Sequence, residues 1–205
     1  MQPSPELVSM AHPITAMVLL VGVLIAAAVA DVRTGKVRNT LTYAAVLAGF
    51  ALAAIGGWFA GGLSGMAMEL NGSLIACVVA VVGFALIFAM GGLGGGDVKL
   101  MAAVGAISGD WRIVFATTVY AFVIGAVMAV GIMVGKGIVR ETAQRIFVAV
   151  LLGGPSASPN ASTAAEENVE QGGGVPFAVA IALGGCVAGV ELLLGVRTPW
   201  AGFVG

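Results

Sequence analysis

The sequence predicts an all-α fold: a polytopic bundle of about six membrane helices forming one membrane-embedded domain over residues 1–205. Three observations carry that expectation. Hydrophobic residues make up 60% of the chain and charged residues 9%, against roughly 25% charged in ordinary soluble proteins. That is too little polar surface to cover a soluble globule of 205 residues. The apolar residues also fall into long runs near the roughly 20 residues that a spanning helix needs. Finally, 32 glycines spread through those runs suit packed membrane helices, where small residues let backbones approach.

The expected helices follow in order at 14–30, 41–60, 74–90, 98–108, 113–134 and 175–196. The first is expected to be retained and not a cleaved signal, because its N-terminal flank carries Glu6 and no Lys or Arg. The positive charges follow it instead, at Arg33, Lys36 and Arg38, as expected of a retained helix with its N-terminus outside. The fourth run is short, reaching roughly 16 Å at 1.5 Å per residue. It is either a half-span or a helix whose first turns lie in the glycines at 91–96. Residues 136–174 form the one long polar loop. Its first part, 140–152, reads as an amphipathic surface helix. Its second part, rich in Pro, Ser, Ala and Gly, reads as a flexible linker.

Charge bias sets the orientation. With the N-terminus outside, the inner segments hold Arg33, Lys36, Arg38, Lys99, Lys136, Arg140 and Arg145, and the outer ones only Arg112 and Arg197. Asp31 and Asp97 then both face the cytoplasm. The net charge of −1 offers no footprint for nucleic acid. Cys77 and Cys186 stand singly in apolar runs without a CxxC pair, so they read as core residues.

Asp31 follows the first apolar run and opens Asp31-Val32-Arg33-Thr34-Gly35-Lys36-Val37-Arg38-Asn39. Taken alone it marks the water interface at a helix end, and the neighbouring basic residues serve as topology anchors. Asp97 sits in Gly91-Gly92-Leu93-Gly94-Gly95-Gly96-Asp97-Val98-Lys99-Leu100. The glycines are expected to break the helix and to supply positive-φ backbone, and Asp97 is expected to cap the fourth helix. Lys99 is expected to snorkel to the headgroups. Taken as a pair, the aspartates permit more. Two close carboxyls do not both ionise cheaply, so one keeps its proton near neutral pH. The charged partner deprotonates a water and the protonated one polarises a carbonyl, which is enough for peptide hydrolysis.

Other chemistries lack their residues. HExxH is absent, which removes the zinc metalloproteases, and no metal ligand set accompanies the aspartates. A phosphate-binding loop would need Gly-Lys-Ser/Thr after the glycines. Gly62-Leu63-Ser64-Gly65 resembles a serine-protease loop, but the one histidine, His12, lies in the polar N-terminal tail. Those residues are expected to form an outer turn. Glu191, near the outer end of the sixth run, is expected to be structural or a packing partner.

Three segments together resemble the prepilin peptidase family of GxGD membrane aspartyl proteases. They are Asp31-x-Arg33 with Val37-Arg38-Asn39, then Gly94-x-Gly96-Asp97-x-Lys99, then Val175-Pro176-Phe177-Ala178-Val179-Ala180. The second is the most specific. The Arg38 position is often proline in that family. The resemblance implies Asp31 and Asp97 as the catalytic pair, with Gly94, Gly96 and Lys99 supporting the site and no cofactor. It implies cleavage of the positively charged leader from type IV or Flp prepilin-like or pseudopilin precursors, at the cytoplasmic face of a bacterial inner membrane. Membrane lipid and the precursor are the expected partners, and the oligomeric state is open. Larger members carry paired CxxC motifs associated with N-methylation. None occurs here, so the chain resembles the short, peptidase-only members of tight-adherence (Flp) pilus systems. Two readings from other classes remain: a small transporter using the aspartates as an ion relay, and a scaffold subunit of a secretion or pilus machine.

Overall fold

A computed structural model describes residues 5–35, 37–90, 93–135, 137 and 177–194. For 5–13 and 193–194 it describes the backbone alone. Within these residues the chain is helical throughout, as α1 (Pro5–Thr34), α2 (Asn39–Ala89), α3 (Gly95–Ser108), α4 (Trp111–Gly135) and α5 (Phe177–Leu194). Three of them, from Ile14–Thr34 in α1 and over α2 and α4, are long and apolar enough to cross a membrane. The expected surface helix at 140–152, and the polar loop apart from Gly137, lie outside the described residues.

Five helices replace the six expected, and the difference lies in α2. Its 51 residues would rise roughly 76 Å if straight, more than twice the roughly 30 Å hydrocarbon core. It is not straight. Gly61 (φ −154°, ψ 21°) and Gly62 (φ 63°, ψ −140°) leave helical geometry, and Gly62 adopts a region essentially reserved for glycine. The chain doubles back there, because a Cβ on Gly57 would stand 2.5 Å from the Gly65 carbonyl oxygen. Eight residues along one straight helix those groups would be about 12 Å apart. The expected turn at 62–65 instead falls at Gly61–Gly62, with the Ser64 hydroxyl donating to the Gly61 carbonyl at 2.9 Å. The returning arm is helical from 63 instead of 74. Glu69 and Asn71, which fall between the apolar runs 41–60 and 74–90, are exposed side chains on that arm.

The two arms of α2 grip α3. A Cβ on Gly49, in the first arm, would lie 2.7 Å from the Ala106 backbone carbon, and one on Gly105 would lie 2.5 Å from the Ala76 oxygen of the second. Every residue from Leu100 to Ile107 is buried, as expected of a helix that is apolar all round and enclosed by others. The helix begins at Gly95, so its first turn does lie in the glycine stretch. At 14 residues it rises roughly 21 Å, which is short of a bilayer crossing. It ends where Gly109 takes a left-handed φ of 65° and returns its N–H to the Gly105 carbonyl at 3.1 Å, a glycine C-cap.

α4 and α5 pack as a pair, and α5 also lies on α1. The core runs through Leu20, Leu24, Phe84, Leu100, Met101, Val104, Val114 and Ile181, so all five helices meet in one cluster. Cys77 and Cys186 are unbridged and partly buried, as small packing residues. The outward faces are apolar, with Val18, Leu47, Phe59, Leu86, Val127 and Leu183 exposed, as expected where lipid is the solvent.

Candidate active site

Asp31 lies in the last turn of α1, inside the helix and not just past it. The helix stops because Gly35 takes a left-handed φ of 64° and donates its N–H to the Asp31 carbonyl at 2.8 Å. The Asp31 side chain turns inward and is partly buried. Its Oδ2 accepts the backbone N–H of Ala178, in the first turn of α5, at 3.2 Å. Arg33 and Arg38 are exposed, as suits charges at the water boundary.

Asp97 is the third residue of α3, and the N-cap is Gly94. This differs from the expected Asp cap, yet the carboxylate still serves the helix start. Asp97 donates its N–H to the Gly94 carbonyl at 3.0 Å, and its Oδ2 accepts the Gly94 N–H at 3.2 Å. It is one half of a capping box, reaching back to an orphan donor. The glycines act through size here and not through positive φ. Gly94 is extended (φ −80°, ψ 147°), and the positive-φ glycines among the described residues are Gly35, Gly62, Gly109 and Gly137. A Cβ on Gly94 would sit 3.3 Å from the Asp97 Oδ2, crowding the carboxylate, and one on Gly96 would meet Val37 at 3.6 Å. Val37 belongs to the link between α1 and α2, so Gly96 is where α3 meets that link.

Burial pushes the Asp97 carboxyl up to about 6, the Gly94 N–H opposes the rise, and the charge on Asp31 adds to it. The last contribution brings Asp31 to bear on Asp97 although 66 residues separate them in sequence. Burial and the charge of Asp31 both favour the protonated form of Asp97.

Lys99 does not simply reach for headgroups. Its Nζ donates to Asn39 Oδ1 at 2.8 Å and stands 5.4 Å from the centre of the Tyr43 ring, within cation–π range. It fastens the first turns of α3 to the start of α2. Asn39 belongs to the Val37-Arg38-Asn39 segment, so two motif fragments meet through this bond. Glu191 packs between helices as expected, with its Oε1 accepting the Tyr120 hydroxyl at 2.6 Å. Among the described residues no three His, Cys, Asp or Glu side chains gather as metal ligands.

Sequence reasoning misses the Ala178 N–H, because a backbone donor has no side-chain signature. It also misses the clasp between Lys99 and Asn39, for which the polar Asn39 beside a helix start was the available signal.

The profile of the type IV leader peptidase family matches residues 18–130. That is more than half of the chain and includes Asp31, Asn39, Gly94, Gly96, Asp97 and Lys99; α5 lies beyond it. No curated protein and no solved structure matches the chain. With its aspartates inside the matched segment and its helices apolar enough for a bilayer, the chain belongs to the type IV leader peptidase family.

Proposed function

We propose that this protein is a membrane aspartic endopeptidase that removes the leader from type IV or Flp prepilin-like or pseudopilin precursors, with Asp31 and Asp97 as its catalytic pair. The observation that supports the reading most is that the charge on Asp31 is among the causes that raise the Asp97 pKa. One carboxylate takes a proton from water as the water oxygen attacks the scissile carbonyl carbon. The other carboxyl, still protonated, hydrogen-bonds the carbonyl oxygen. The tetrahedral intermediate then collapses, the C–N bond breaks, and the proton passes to the leaving amine. No covalent enzyme intermediate is needed.

The positive-inside bias supports an N-outside orientation, with both aspartates towards the cytoplasm of a bacterial inner membrane. The sequence contains no CxxC pair, which supports a peptidase without methyl transfer.

The test is to co-express a prepilin precursor with wild type, Asp31→Ala or Asp97→Ala and to follow the size of the precursor. Wild type is expected to shorten it and both variants to leave it intact. Cleavage by either variant at normal abundance would overturn the pair. Failure of wild type on every precursor tried would favour an ion-relay or scaffold role.

A further inference from the structure

The first N–H groups of a helix have no partner within it. In α5, the N–H of Ala178, a fully buried residue, is spent on the Asp31 carboxylate. A hydrogen bond of this kind needs α5 at one depth, since a shift of 1 Å along its axis would break it.

That depth is fixed by a ring seated in a notch. A Cβ on Gly125 of α4 would lie 2.9 Å from Cε2 of Phe177, so the absence of a side chain makes the space that the ring fills. One turn earlier on α4, Phe122 also meets Phe177, with ring centres 5.6 Å apart, and Phe122 meets the buried Phe84 of α2 at 6.1 Å. Further along α5, a Cβ on Gly184 would lie 2.8 Å from the Ala121 nitrogen and one on Gly185 2.6 Å from the Leu24 side chain. These contacts set the spacing to α4 and α1, and the ring in its notch sets the register.

We propose that Phe177, seated in the Gly125 notch, is a positioning residue that holds the Ala178 N–H against Asp31, so that α5 completes the active site although it lies outside the family-matched segment. This rests on the reading of Asp31 as one of the catalytic pair. The N–H occupies Oδ2 and fixes the plane of the carboxylate, which leaves the other oxygen to meet the water. Of the titratable and charged groups on elements packed against α1, Asp97 of α3 feels the charge of Asp31. Lys99 of α3 is engaged by Asn39, Arg38 beside α2 is exposed, and Glu191 of α5 is bonded to Tyr120 at the far end.

The experiment measures kcat and KM of the full-length protein in detergent on a peptide spanning a prepilin leader junction. Ala178→Pro removes the donor at a position where a helix's first turn tolerates proline. Phe177→Ala empties the notch, and Phe177→Leu keeps most of its filling. The expected result is a kcat lower by about ten-fold or more for Ala178→Pro and Phe177→Ala, with KM within about two-fold of wild type. Phe177→Leu retains most of the activity. An unchanged kcat in Ala178→Pro, with Asp31→Ala inactive, overturns the positioning role and leaves the peptidase reading standing. Cleavage by Asp31→Ala overturns the reading itself. Should Ala178→Pro not accumulate, the Phe177 pair decides: equal kcat in the Ala and Leu variants, or a rise in KM alone, overturns the proposal.

Discussion

Asp97 combines two tasks at a single carboxyl. Its Oδ2 returns to the Gly94 N–H, and its environment lifts its pKa to about 6. Because burial is the largest cause and the charge of Asp31 a smaller one, Asp31→Asn is expected to lower the Asp97 midpoint while leaving it above the ordinary 3.8. A carboxyl-labelled NMR or infrared titration in detergent measures this directly, and a midpoint unmoved by Asp31→Asn would show that the two groups do not interact. The same shift has a consequence for stability. A carboxyl whose folded pKa exceeds its unfolded one stabilises the fold in its protonated form. That contribution is full below pH 3.8 and is lost as pH rises through about 6. Asp97→Asn, which cannot ionise, is therefore expected to melt at a higher temperature than wild type at pH 8. The gap is of order 1–3 kcal/mol and closes towards pH 4. Thermal unfolding at the two pH values reads it.

At the level of elements, glycine contacts govern how α3 is held. Gly105 faces the Ala76 backbone, where a Cβ would approach to 2.5 Å, whereas Gly83 on the same pair of helices has nothing within 4 Å. Gly105→Val is expected to destabilise by about 1–3 kcal/mol through overpacking. Gly83→Ala is expected to be neutral or to stabilise by about 0.5–1 kcal/mol, as a better helix former at an open site. Melting temperatures of the two variants test this, and equal effects would contradict the packing described. α4 was legible almost to its ends, since 113–134 became Trp111–Gly135, because a long uninterrupted apolar run has few other solutions. The start of the returning α2 arm was not. Glu69 and Asn71 fall between the apolar runs 41–60 and 74–90, but an exposed polar side chain is compatible with a helix whose other face packs. Asp31 and Asp97 were legible as a candidate pair because each carboxyl interrupts an apolar context. The hydrogen bond that brings α5 to Asp31 was not legible, since only tertiary structure sets which backbone donor lies within reach.

For the whole molecule, the charge bias decides which end is expected to face the cytoplasm. The N-outside orientation places the turn of α2 at Gly61–Gly62 outside and Gly137 inside. In a chain with Cys77 and Cys186 replaced by Ala, a cysteine at Gly61 is expected to react with a membrane-impermeant maleimide in intact cells. One at Gly137 is expected to react only after the membrane is opened, and the reverse pattern would invert the topology. In either orientation the bundle divides its surfaces unevenly. α1, both arms of α2, α4 and α5 present exposed apolar side chains.

The enclosure of α3 bears on how the protein meets membranes of different thickness. A helix in contact with lipid answers a thicker or thinner bilayer by tilting. Leu100 to Ile107 have no such contact, being buried on every side, and the Gly49 and Gly105 contacts leave no slack for α3 to slide against α2. Over those eight residues the bilayer therefore has no direct purchase on the element that carries Asp97. Changes in lipid length or sterol content are expected to fall first on the outer helices, with the depth of this carboxyl held by the packing of α3 within α2.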